Sequence, residues 1–211
     1  MKITIFGGSG FIGQKLTEEL VHRGHNVTSI SRSGKPANLT TSWSQKVHWI
    51  RSDVLTDNFW QSAVKEADWV IDAIGILKED PSKNITYTRF IYKPVQIILA
   101  YLNTQEHPAK FLFLSANSAP FFLNQYMESK LQAEELIKKQ TKQSIIFYPS
   151  LVVDKKRYSS IIGGNMIKLL KKIPGVRKLV QGYDPISRTA LAVEISNVIE
   201  GNTSLYTQRR K

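Results

Sequence analysis

Three glycines set the first chemistry open to this sequence. Gly7-Gly8-Ser9-Gly10-Phe11-Ile12-Gly13 follows directly on the apolar run Lys2 to Phe6 and opens a segment of helical period. Glycine at such points permits a positive φ in the turn, close approach of backbone to a pyrophosphate and tight packing of helix on strand. The helix N-terminus meanwhile turns its amides toward the anion. Gly7, Ser9, Gly10, Phe11, Ile12 and Gly13 are therefore the candidate phosphate-binding residues, and dinucleotide binding is the first expectation. A second constellation is Tyr126-Met127-Glu128-Ser129-Lys130, whose i, i+4 spacing puts a phenol and an ammonium on one helix face. The four histidines, at 22, 25, 48 and 107, show no spacing of metal ligands. A chain without cysteine has no thiolate zinc site, iron–sulfur cluster, cysteine nucleophile or disulfide. No metal is expected.

These residues need elements to hold them, and the pattern supplies a regular set. Short apolar runs at Lys2 to Phe6, Val27 to Ile30, Val47 to Arg51, Trp69 to Ile74, Lys110 to Ser115 and Ser144 to Tyr148 read as strands. Between them lie helical patterns at Phe11 to Arg23, Asn58 to Glu66, Thr86 to Asn103 and Tyr126 to Gln140. Crossovers of this length favour parallel pairing with helices on both faces, so the expected architecture is α/β, a doubly wound and mostly parallel sheet. The loop Ser33 to Gln45 is long enough to fold over a ligand. Beyond Pro149 the alternation weakens into a helix at Ser159 to Lys172, a break at Pro174-Gly175 and a helix at Ala190 to Ile199. With 211 residues, residues 1–150 are expected to form the core, and residues 151–211 a small C-terminal extension packed on it.

The glycines are spaced G-x-x-G-x-x-G, and with the strand before and helix after them the chain resembles the short-chain dehydrogenase/reductase superfamily, in its extended and atypical branches. That resemblance implies a Rossmann sheet and a nicotinamide cofactor. Arg32 stands at the end of the second strand, where an NAD-preferring site places a carboxylate for the ribose 2′-hydroxyl. A guanidinium there suits a 2′-phosphate, so NADP(H) is favoured over NAD(H). Asp53-Val54 matches the position whose aspartate reads the adenine amino group in relatives. Ala73-Ile74-Gly75 matches the small-residue run that lets the cofactor pass, and Tyr148-Pro149-Ser150 stands where relatives turn beside the nicotinamide. In the superfamily the tyrosine at Tyr126 is the general acid or base. The lysine at Lys130 binds nicotinamide ribose and lowers the phenol pKa. Two positions depart from the pattern: Ala116 aligns with the catalytic serine, leaving Ser115 or Ser118 as substitutes, and Tyr92 replaces a cofactor-contacting asparagine. Leu114-Ser115-Ala116-Asn117 and Ser129-Lys130 look like the atypical group that includes the dehydrogenase-like accessory subunit of respiratory complex I and coenzyme Q assembly relatives.

The net charge of +12 predicts attraction to anions, whether phosphorylated cofactor, anionic lipid or, as the lesser candidate, nucleic acid. No apolar run approaches the ~18 to 20 residues that span a bilayer. The expected location is cytoplasmic or peripheral to a membrane, with the basic and apolar stretch Ile161 to Lys178 as the candidate contact; Arg209-Arg210-Lys211 reads as a frayed end. Two functions follow. One is an NADP(H)-dependent oxidoreductase acting on a small or lipophilic carbonyl or hydroxyl substrate, with Tyr126, Lys130 and Ser115 as its catalytic set. The other is a nucleotide-binding redox sensor or scaffold without turnover.

Overall fold

The computed structural model describes residues 1–141, 143–154 and 185–210. Strands β1 (Lys2–Phe6), β2 (Asn26–Ser31), β3 (His48–Arg51), β4 (Trp69–Asp72), β5 (Lys110–Leu114) and β6 (Ser144–Phe147) form one sheet in the order β3-β2-β1-β4-β5-β6. Every neighbouring pair is parallel, with Ile3 opposite both Val27 and Trp69. The chain runs outward from β1 to β3, then returns to the other side of β1 to lay down β4. The reversal leaves a crevice at the carboxyl ends of β1 and β4, which is where open α/β sheets take their ligands.

The period of two along the strands explains the layers. Ile3, Ile5, Trp69, Ile71, Leu112 and Leu114 point to one face, where they meet α1 (Phe11–His22) and α6 (Arg188–Ile199) through Leu16, Leu20, Leu191 and Ile195. Phe6, Val70, Phe111 and Phe113 point to the other, under α3 (Gln61–Lys65), α4 (Lys93–Leu102) and α5 (Asn124–Gln140), through Val64, Val95, Ile98, Ala133 and Ile137. On this second face Trp60 lies fully buried, edge-on to Phe6 with ring centroids 5.5 Å apart, its indole N–H donating to the Asp57 carbonyl at 2.8 Å. A four-residue α2 (Ser42–Gln45) closes the loop expected over Ser33 to Gln45.

The sequence predicts one helix from Thr86 to Asn103. The structure instead has a π turn at Thr88–Tyr92, followed by α4. Pro94 is the cause: it has no N–H to donate to residue 90, and its ring crowds that carbonyl, so the backbone widens by one residue to pass it. The bulge carries Phe90 to the crevice and turns Tyr92 against the buried core of α4 and α5.

The expected helix over Ser159 to Lys172, the break at Pro174-Gly175 and the whole basic stretch Ile161 to Lys178 lie outside the described residues. A short parallel pair, β7 (Val152–Val153) with β8 (Ile186–Ser187), leads into α6, whose N-cap Ser187 accepts from the Ala190 amide at 3.0 Å. Among the described residues no helix is long and apolar enough to cross a membrane.

The expectation of a frayed end at Arg209 and Arg210 is corrected. Arg209 donates to the carbonyls of Ala116 and Asn117, at 2.8 and 2.7 Å, and to the buried Glu134 carboxylate at 2.6 Å, while stacking 4.7 Å over the Tyr148 ring. Arg210 reaches Ser150 Oγ at 2.7 Å and lies 4.6 Å over Tyr206. Planar guanidinium groups with several donors find carbonyls, a carboxylate and ring faces here, all within one seam.

Candidate functional site

The crevice is floored by the glycine turn. Gly7 has φ of +81° and lies so close to β4 that a Cβ there would sit 3.0 Å from the Ala73 carbonyl. Gly13 is tighter still: a Cβ would meet the Gly7 oxygen at 2.1 Å, so only glycine lets the first turn of α1 settle on the loop. Gln14 Nε2 locks the loop from the helix side by donating to the Ser9 carbonyl at 2.7 Å. Gly10, the N-cap, supplies no side-chain acceptor, and no acidic residue stands in the first turn. The helix therefore presents its positive end to the crevice without an internal anion to answer it. A cradle that any Cβ would fill, beneath an uncapped helix N-terminus, fits a pyrophosphate.

The cleft above this floor has a volume of 540 Å³. Gly7, Ser9, Gly10, Arg32, Asp53, Val54, Ala73, Ile74 and Gly75 of the expected cofactor residues line it, together with Arg51 and Phe90. Phe11, Ile12 and Gly13 do not; they seat α1 instead. Phe11 lies 5.0 Å under the Arg188 guanidinium, which also donates to its carbonyl at 3.0 Å, and Ile12 packs on the core. The Arg32 guanidinium is exposed at the mouth and stacks 4.8 Å over Phe90. Arg51, the last residue of β3, is exposed and also lines the cleft. Asp53 sits on a turn held by Asp57, which accepts from the Asp53 amide at 2.8 Å and from Ser52 Oγ; Asp53 Oδ1 itself accepts from the Leu55 amide at 3.0 Å. Arg51 and Phe90 were not among the sequence candidates. A cation closing a strand that ends at the crevice was a signal for the first, and Pro94 inside a helical pattern was one for the second.

Lys130 and Tyr126 are not among the residues that line this cleft; α5 carries both, with Lys130 Nζ 5.9 Å from the Tyr126 ring centroid. Lys130 is buried and donates to the Leu114 carbonyl at 2.5 Å. A Cβ on Gly75 would lie 3.9 Å from its Nζ, so the ammonium sits behind the cofactor-side turn. The expectation that Lys130 lowers the phenol is not met: burial, seconded by Tyr87, pushes Tyr126 up to about 12. Tyr87 stands edge-on to it at 5.8 Å and donates its own hydroxyl to the Leu77 carbonyl at 3.0 Å. Burial draws Lys130 down to about 8, against the pull of Asp72 and Glu134. Its charge is spent on a carbonyl and two carboxylates rather than on the phenol.

Ser115 is also placed differently from expectation. Its hydroxyl donates to Glu134, which takes further bonds from Arg209 at 2.6 Å and from the Tyr148 hydroxyl at 3.4 Å. Tyr148 and Pro149 do not line the cleft: Tyr148 is buried in this same network, and the Pro149 carbonyl accepts from the Asn117 amide at 2.9 Å. The reason is topological, since β6 is the outermost strand and its end lies beyond β5 from the switch point. Ala116, aligned with the serine of relatives, is buried with its carbonyl on Arg209.

Comparison with known proteins agrees with this geometry. Residues 7–171 match the family described as NAD(P)H-binding. The chain is 27% identical over 133 residues to MIOREX complex component 2 of Saccharomyces cerevisiae, covering 61% of this chain and 46% of that protein. It is 28% identical over 166 residues to an uncharacterized chloroplastic protein of Arabidopsis thaliana, covering 76% of this chain and 53% of the relative. The chain thus spans about half the length of both. Among solved structures, UDP-glucuronic acid 4-epimerase from Bacillus cereus in complex with NAD superposes with a TM-score of 0.68 at 19% identity, over 98% of this chain and 75% of that one. A candidate NADH-flavin reductase from Streptococcus pneumoniae gives 0.63 at 16% identity, over 97% and 95%. At such identities the likeness is one of fold.

Proposed function

Because the chain belongs to the NAD(P)H-binding family, we propose that it takes NADP(H) in preference to NAD(H) and serves as an atypical short-chain reductase of a small or lipophilic carbonyl compound. The observation that carries the cofactor choice is the pair of exposed arginines, Arg32 and Arg51, that line one cleft. The strand end that would bear a carboxylate for a free 2′-hydroxyl reads Ser29-Ile30-Ser31-Arg32 instead. Gly7, Ser9 and Gly10, at the start of α1, would hold the pyrophosphate, Asp53 the adenine edge, Arg32 and Arg51 the 2′-phosphate, and Phe90 with Arg32 the base stack.

When bound, the reduced nicotinamide supplies hydride. A phenol kept protonated across the neutral range suits Tyr126 to give its proton to an alkoxide as it forms, which favours reduction over oxidation. Lys130, behind Gly75, is the cation for the ribose side. Ser115 is held by Glu134 and supplies no second donor, so Tyr126 carries the proton transfer alone. That same observation favours a second reading, a nucleotide-binding sensor or scaffold without turnover, in keeping with a relative named as a complex component.

Fluorescence titration with NADPH and NADH, on the wild type and Arg32→Ala, tests the cofactor. NADPH should bind at least about tenfold tighter, and the variant should lose most of that margin. Consumption of NADPH over a panel of aldehydes, ketones and quinones then separates the two readings. Turnover abolished in Tyr126→Phe with cofactor affinity kept supports the reductase, whereas binding without turnover supports the sensor. Binding of neither nucleotide overturns both.

A further inference from the structure

Asp72 ends β4 at the switch point of the sheet and is wholly buried. Its Oδ1 accepts from the Ile74 amide at 2.9 Å, which fixes the turn Ala73-Ile74-Gly75 along the cleft. Its Oδ2 is buried and has no hydrogen-bond partner among the described residues. Phe113 lies directly opposite on β5, and Lys130 Nζ sits 4.5 Å from the centroid of that ring. An anion from β4 and a cation from α5 thus share one buried space on the same sheet face, separated by a single residue of β5. A buried charge is tolerated only with a counter-charge or full hydrogen bonding.

The other groups facing Lys130 do not replace Asp72. The Leu114 carbonyl of β5 gives one acceptor without charge. Glu134, one turn along α5, is already answered by Arg209, Ser115 and the Tyr148 hydroxyl. Tyr126, on the same helix, is backed by Tyr87 and stays neutral across the physiological range. Among the described residues Asp72 is the carboxylate near Lys130 that has no cation but Lys130.

We propose that Asp72 is a positioning residue, the counter-charge that keeps Lys130 an ammonium and ties its place to the Ala73–Gly75 turn on which the cofactor would rest. The proposal builds on the NADP(H) reading of the cleft, but the pairing itself is a property of the protein alone. Burial lifts Asp72 to about 7 against the pull of Lys130 and of its Ile74 bond, and lowers Lys130 to about 8 against the pull of Asp72. Each is held in its charged form partly by the other.

The test is a pH titration of the Lys130 amine by NMR in the cofactor-free protein, wild type against Asp72→Asn. The variant keeps an acceptor for Ile74 and removes only the charge. The Lys130 midpoint should fall by one pH unit or more; an unchanged midpoint overturns the pairing. The reciprocal variant, Lys130→Gln, should raise the Asp72 carboxyl midpoint, and no rise there also overturns it, so the test stands if one variant fails to fold. NADPH titration on the same samples reads the function. Asp72→Asn should lose about fivefold affinity near pH 8 and less than about twofold near pH 6, the ratio of charged lysine expected when its midpoint falls by one unit from about 8. Equal losses at both pH values would refute positioning, and a wild type that binds no nucleotide would refute the reading of the cleft while the NMR midpoints still decide the pairing.

Discussion

Replacing Arg209 by Met should destabilise the protein far more than its place near the C-terminal end of the sequence would imply. The guanidinium is one-third exposed (33%), but its partner Glu134 is almost sealed, at 3%. Leaving a buried carboxylate without its cation costs about 3–5 kcal/mol where burial is complete. Two corrections reduce that figure: water reaches part of Arg209, and the hydroxyls of Ser115 and Tyr148 still donate to Glu134. Loss of the bonds to the Ala116 and Asn117 carbonyls acts in the opposite sense. The net cost should be roughly 2–3 kcal/mol, a fall in Tm of about 4–12 °C for a chain of this size. Urea unfolding of Arg209→Met, Glu134→Gln and the double variant measures the coupling. Neutralising Glu134 removes the uncompensated charge, so the double variant should be more stable than the sum of the singles by at least about 1 kcal/mol. Additive singles, or an Arg209→Met protein within about 0.5 kcal/mol of wild type, would refute the account of the seam.

Gly13→Ala places a methyl 2.1 Å from the Gly7 oxygen and 2.7 Å from Gly8 Cα, so calorimetry should show a loss of about 2 kcal/mol or more and NADPH titration a collapse of binding; normal affinity would mean the turn is not the anion cradle. Pro94→Ala restores an amide and should let the π turn relax to α-helix, moving Phe90 from beneath Arg32. A cation–π stack of about 0.5–1 kcal/mol would be lost, reducing NADPH affinity about two- to fivefold with no fall in Tm, and unchanged affinity would show that the bulge does not serve the cleft.

The sheet was legible because each strand is a short apolar run with turn residues at its ends, and because the glycine motif marks β1 and the start of α1 without ambiguity. Helix ends fell within a few residues of expectation where nothing interrupted the ladder, and failed at Pro94, where one missing amide changed the helix type. The site divided in the same way. Residues named by a local motif, such as Gly7, Gly10, Arg32 and Asp53, came together on one cleft. Residues whose roles depend on distant partners did not announce themselves. Glu134 and Arg209 are separated by 75 positions, Asp72 meets Lys130 only through the β4–β5 register, and Ser115 is diverted by a carboxylate one helix away. A phenol and an amine at the right spacing gave the pair but not its electrostatics, which burial decides.

Trp60 gives the molecule an optical property of its own. The chain has four tryptophans; Trp43 and Trp49 lie together near α2, Trp69 sits beneath Lys110, and Trp60 alone touches Phe6, a residue of the cleft wall. Reduced nicotinamide absorbs in the band where buried indole emits, and oxidised nicotinamide does not. With a reduced nicotinamide in the cleft, Trp60 is therefore expected to lose part of its emission by through-space energy transfer, and with an oxidised one to keep it, a difference that steady-state fluorescence would read without any added dye.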